Sequence, residues 1–86
     1  MKIKKELVKR DIAGDTILVP VGRTVYEGNG LFVLNEQGSF LWDRLEEAQT
    51  EEDLLQAVLA EYEVTEEVAR ADIRTFLEKL RDMKIL

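Results

Sequence analysis

The sequence predicts an α+β domain of the winged helix-turn-helix-like type, a three-stranded antiparallel sheet followed by three helices. Its apolar residues fall at first in short β-branched runs broken by Gly, Pro, Asn and Asp, and from Glu36 onward they recur at helical spacing. The connections between runs are short. Few packings then remain, and in the simplest the helices gather on one side of a single sheet. With 86 residues the chain is expected to form one domain over residues 1–86, able to bury roughly 60–65% of its unfolded surface.

Residues 7–13, with Leu7, Val8 and Ile12, suggest the first strand. Thr16 to Val21 (TILVPV) is a clearer second strand, opened by turn chemistry at Gly14-Asp15 and closed by Pro20-x-Gly22. Pro20 has no amide hydrogen, which places it at a strand end or on an edge. Gly28-Asn29-Gly30 then tolerates positive φ, and Leu31, Phe32, Val33 and Leu34 read as the third strand. Phe40, Leu41 and Leu45, with Trp42 on the flank, predict a first helix over 36–47. Thr50-Glu51-Glu52-Asp53 has the form of a capping box, with Asp53 in place of the usual Glu. It opens a second helix whose stripe is Leu54, Leu55, Val58, Leu59 and Tyr62. Thr65-Glu66-Glu67-Val68 repeats the device for a third helix over 66–82, with Ala69, Ile73, Phe76, Leu80 and Met83 toward the core. The acids of both first turns suit the positive end of the helix dipole. Ile85-Leu86 is expected to close the chain as a hydrophobic clasp.

Composition narrows the chemistry. Apolar residues make up 45% and charged residues 35%, the balance of a soluble globular protein. Cysteine and histidine are absent, which removes disulfides, thiolate metal sites, the cysteine nucleophile and the usual general base. Neither a signal peptide nor a membrane-spanning run is visible, so a cytoplasmic location is the expectation. Ser39 has no histidine or evident lysine partner in a nucleophile motif, Gly28-x-Gly30 lacks the third glycine of a dinucleotide fingerprint, and no EF-hand or P-loop pattern occurs. No enzyme activity, cofactor or metal is therefore expected. The net charge of −6 is uneven: residues 46–67 carry nine acids and no base, while residues 2–10 carry five bases against Glu6 alone. An acidic run of this kind reads first as a solvated helix face.

A binding surface remains. On a helical wheel Arg70, Arg74, Leu77 and Arg81 flank one side of the third helix's core stripe, and Val68, Asp72, Thr75 and Lys79 flank the other. Either flank can border the sheet. The arginines are a solvated face with pairs such as Arg74–Glu78 and Arg81–Glu78, or their stems line a groove while their heads meet acidic groups of a docked peptide. The third strand has two readings as well, since Leu31 and Val33 point one way and Phe32 and Leu34 the other and all are apolar. It is buried on both sides, or it is a sheet edge that accepts an added strand.

The ordered set Leu34-Asn35-x-x-Gly38-x-Phe40-x-Trp42 and Asp72-Ile73-x-x-Phe76-Leu77-x-x-Leu80 resembles the PqqD-like family. Ile12-Ala13-Gly14-Asp15, Thr50-Glu51-Glu52 and Ile85-Leu86 extend the resemblance over most of the chain. Such proteins are small non-catalytic modules that hold the leader of a ribosomally made precursor peptide as an added strand and present it to a modifying enzyme, often a radical-SAM protein that carries the iron–sulfur cluster itself. The resemblance implies a docking cleft between the third strand, Leu31 to Leu34, and the third helix, with Asp72, Leu77 and their neighbours as the opposite wall. Val19-Pro20-Val21-Gly22 stands where members serving pyrroloquinoline quinone synthesis usually carry a Pro-Glu pair, and Lys84 where a glycine is common, which points to a different modified peptide. The alternatives are a winged-helix DNA-binding regulator, against which the acidic helices argue, and an interaction domain that uses the same edge with a folded partner or a second copy.

Overall fold

The computed structural model describes residues 1–27 and 32–86. Strands β1 (Leu7–Ile12) and β2 (Asp15–Pro20) form a hairpin in which Ile12 faces Asp15 across the two-residue loop Ala13-Gly14. Both loop residues have positive φ, 52° and 86°. This is the type I′ geometry whose twist matches that of the flanking strands. Strand β3 (Phe32–Leu34) pairs antiparallel with the other side of β2, giving the sheet order β1-β2-β3. Pro20 ends β2, as its missing amide requires. Leu31 and the predicted Gly28-Asn29-Gly30 turn lie outside the described residues.

Between β2 and β3 stands a 3₁₀ segment, Gly22–Glu27, that the sequence analysis did not anticipate. Thr24 anchors it. Thr24 is buried, its amide donates to the Val21 carbonyl at 3.2 Å, and its Oγ1 accepts from the Glu6 amide at 2.7 Å. A polar anchor of this kind leaves no apolar period in the sequence, and short 3₁₀ turns need none.

Helix α1 (Glu36–Arg44) is shorter than the predicted 36–47. The Leu45 amide donates to the Trp42 carbonyl at 3.2 Å, a tightened last turn. Glu46 and Glu47 follow at the negative end of the dipole, where acids oppose continuation. Helix α2 (Glu51–Glu61) carries the capping box complete, with Thr50 Oγ1 accepting from the Asp53 amide and Asp53 Oδ2 from the Thr50 amide. Helix α3 (Glu66–Asp82) begins with Thr65 as N-cap. It ends in a Schellman arrangement: the Lys84 amide donates to the Arg81 carbonyl at 3.0 Å and the Ile85 amide to the Leu80 carbonyl at 2.8 Å. Lys84 occupies the left-handed position, with φ of 60°. Ile85 is buried and its carbonyl accepts from the Lys4 amide at 2.7 Å, so the clasp binds the first residues to the last.

The core joins Leu18 and Leu34 of the sheet to Leu41, Leu45, Leu54, Leu55, Val58 and the inward stripe of α3. That stripe is wider than predicted. Ala69, Ile73, Phe76, Leu77 and Leu80 are all buried, and Leu77 is 0% exposed. Residues recurring at i, i+4, i+7, i+8 and i+11 make the broad apolar face of a helix packed on two neighbours. Met83 is only partly buried at its end. Phe40 meets Tyr62 edge to face with ring centroids 5.2 Å apart, under the Arg44 guanidinium 4.2 Å from the Phe40 centroid, which ties α1 to the end of α2. Among the described residues no helix is long and apolar enough to cross a membrane.

Candidate functional site

The register fixes what the free edge of β3 offers. In a hairpin with a two-residue loop the residues next to the loop form a hydrogen-bonded pair, so Asp15, Ile17 and Val19 direct their backbone groups toward β1. The Val21 amide confirms this parity by donating to the Glu6 carbonyl at 2.9 Å. Thr16 and Leu18 must then direct theirs toward β3, where they meet Leu34 and Phe32. Val33, opposite Ile17, is left with its N–H and C=O pointing away from the sheet. Its side chain is 61% exposed, while Leu34 is buried and Phe32 is half-buried against the core. The strand is therefore an edge, and the reading in which it is buried on both sides does not hold.

A cleft of ≈ 170 Å³ lies along this edge. One wall is Phe32, Val33 and Leu34, the other is Asp72, Thr75, Phe76 and Lys79 of α3, and the first turn of α1 closes one end with Asn35, Gln37 and Gly38. The turn approaches closely because Gly38 has no side chain: a Cβ there would sit 3.1 Å from Asn35 Oδ1 and 3.4 Å from Leu34 Cδ2. Asn35 Oδ1 in turn accepts from the Gly38 amide at 2.7 Å, so the strand-to-helix corner and the cleft end are one unit.

This arrangement decides between the two flanks of α3, and it corrects part of the expected site. The flank with Asp72, Thr75 and Lys79 borders the sheet; Arg70, Arg74 and Arg81 do not line the cleft. Arg70 Nη2 bonds Glu52 Oε2 at 3.0 Å and Glu66 Oε1 at 3.2 Å, which turns it toward α2. The Glu52 hydrogen bond, with that of Glu66, holds its pKa above the ordinary guanidinium value. Among the described residues the expected Arg74–Glu78 and Arg81–Glu78 pairs are not formed. Leu77, expected on the groove wall, is core. Asp72, Phe32, Val33 and Leu34 do line the cleft, and Leu31 lies outside the described residues. Asn35, Gln37, Gly38, Thr75, Phe76 and Lys79 were not named as a site, although the spacing of 72, 75, 76 and 79 on one helix face was visible.

One arrangement elsewhere invites a chemical reading. Ser39 does have a lysine neighbour, contrary to expectation: Lys9 Nζ donates to Ser39 Oγ at 2.9 Å. The same Nζ donates to Asp43 Oδ2 at 2.7 Å. Ser39 Oγ accepts from this lysine rather than giving it a proton, so the contact is a tie between β1 and α1 rather than a nucleophile pair. Among the described residues no three acidic, cysteine or histidine side chains are grouped to hold a metal ion. The Asp53 carboxyl is held below its ordinary pKa by the amides of Gln49 and Thr50, a capping role.

Residues 16–86 match the family of coenzyme PQQ synthesis protein D (PqqD). The solved structure of TbiB1 in complex with the TbiA(beta) leader peptide is 30% identical, with a TM-score of 0.75 over 100% of this chain and 94% of that one. Lasso peptide synthetase B1 complexed with its leader peptide is 23% identical, with a TM-score of 0.72 over 94% of this chain and 89% of that one, and shows the shared fold. No curated protein sequence matches the chain.

Proposed function

Because the chain belongs to the PqqD family, we propose that it is a non-catalytic recognition module that binds the leader of a ribosomally synthesised precursor peptide. The observation that carries this reading is the outward N–H and C=O of Val33 beside a cleft that α3 walls and no part of the described chain fills. An extended peptide laid along β3 gains main-chain hydrogen bonds from this edge, while its alternate side chains enter the cleft against Phe76 and Leu34. The related TbiB1 has a leader peptide as its ligand, which supports the same class of partner here.

The residues proposed to receive the peptide are Leu31 to Leu34, Asp72, Thr75, Phe76 and Lys79. The second partner is the enzyme that acts on the bound precursor. Family resemblance points to a radical-SAM protein, and the same fold occurs in a lasso peptide synthetase. Binding of nucleic acid is disfavoured, since the acidic first turns of α2 and α3 repel phosphates.

Titration of ¹⁵N-labelled protein with the TbiA(beta) leader, and with the leader of a precursor encoded beside this chain's gene, tests the reading. Amide shifts should concentrate at Phe32 to Leu34 and Asp72 to Lys79 and spare Arg70 and Arg81. Shifts confined to other surfaces, or no binding by either leader, would refute it.

A further inference from the structure

The α3 wall of the cleft is not uniform in charge. Asp72 lies at the end where β3 passes into α1, near Asn35, Glu36, Gln37 and Tyr62. Lys79 lies two helical turns further on, and one turn beyond it Met83 and Ile85 border the Phe32 end of the strand. Helix α3 thus runs opposite to β3. It presents an acid beside Leu34 and a base beside Phe32. Both side chains are exposed, and neither makes an ion pair among the described residues. Helix α1 also begins at the acidic end, where Glu36 in its first turn offsets the positive dipole. The cleft between them is lined by uncharged side chains.

We propose that this cleft selects leaders by charge order, taking a strand with a basic side chain at the Leu34 end, against Asp72, and an acidic one at the Phe32 end, against Lys79. The inference rests on the docking reading above. The two charges stand seven residues apart on a helix, about 10 Å at 1.5 Å per residue. An extended peptide advances about 3.3 Å per residue and shows one face only at alternate positions. Its matching charges therefore sit two or four residues apart, within reach of long side chains. A leader with the reverse order would bring like charges together at both ends, and the two orders differ by four unfavourable or favourable contacts in all. At roughly 0.2–1 kcal/mol for each exposed pair, the ratio between orders comes to at least about fourfold at low ionic strength. Salt should shrink it, since these charges face solvent.

The test uses whichever leader binds in the titration above, made in two versions of identical composition. Each carries one Lys and one Glu four residues apart in the docked segment, in opposite order. Affinities are measured for the natural protein and for the double variant Asp72→Lys with Lys79→Glu, whose exposed positions leave the fold intact. The natural protein should prefer one order by at least about fourfold, and the double variant should prefer the other. The favoured order also reports whether the added strand runs parallel or antiparallel to β3. Equal affinity for both versions, or the same preference in the double variant, overturns the charge-order inference while docking stands. Loss of binding to both versions, with the unaltered leader still bound, overturns it as well.

Discussion

Replacing Val33 with Pro removes the one amide hydrogen of β3 that register directs away from the sheet. The ladder to β2 uses Phe32 and Leu34, so it survives. Phe32 is already extended, the conformation that a residue before proline prefers. The side chain at 33 is largely exposed, and no core volume is lost. Stability should accordingly fall by less than about 1 kcal/mol, a melting shift of at most roughly 4–8 °C for a domain of this size. Leader binding loses a hydrogen bond and leaves the leader's own carbonyl without its partner, which is worth about 1–2 kcal/mol and weakens Kd by roughly five- to thirtyfold. Isothermal titration with the leader, alongside thermal unfolding by circular dichroism, reads both quantities. Val33→Ala is the control, because it keeps the amide and trims only exposed atoms; its affinity should stay within about threefold, less than a hydrogen bond's worth. A Val33→Pro protein that melts as a folded domain and binds the leader undiminished would refute strand addition at this edge.

Arg74→Glu should leave stability nearly unchanged, as surface substitutions do, and should leave leader affinity within about twofold, because its flank of α3 lies away from the cleft; a tenfold loss by titration would restore the arginine flank to the site. Leu77→Ala should destabilise by about 2–5 kcal/mol in urea unfolding, since the side chain is fully buried, and a loss below 1 kcal/mol would contradict its core position. Lys84→Gly should stabilise by about 0.5–1 kcal/mol, read as a higher melting temperature, because glycine adopts the positive φ without the Cβ penalty that lysine bears there. Asp53 titrates below its usual 3.8 in the folded chain, so its carboxylate favours folding at every pH above that value and the contribution is lost as pH falls through and below it. Urea midpoints of the natural protein and Asp53→Asn should then differ near neutral pH and converge as pH falls well below 3.8; a gap independent of pH would contradict this capping role.

The local devices were legible in the sequence because they are local. Thr50 to Asp53 and Thr65 to Val68 name their own helix starts and the β-branched runs name their strands. The expected strand over 7–13 runs one residue too far, and only the pairing of Ile12 with Asp15 sets the Ala13-Gly14 loop and the parity that leaves Val33 facing outward. Two elements escaped for definite reasons. The 3₁₀ segment depends on Thr24 reaching the distant Glu6 amide, and α1 ends early where Leu45 turns into the core ahead of two acids. The cleft's lining was legible on the strand and, on the helix, at Asp72 alone. A helical wheel places Leu77 at the border of the apolar stripe, where it serves equally as core or as groove wall, and Arg70, Arg74 and Arg81 follow it. Only the packing of α3 on α2 and the sheet sets the rotation of that helix, and burying Leu77 with Ile73 and Leu80 removes more apolar surface from water than exposing it would. That rotation, which no periodicity within the helix can specify, turns Arg70 toward Glu52 and puts Asp72, Thr75 and Lys79 beside the open edge of β3.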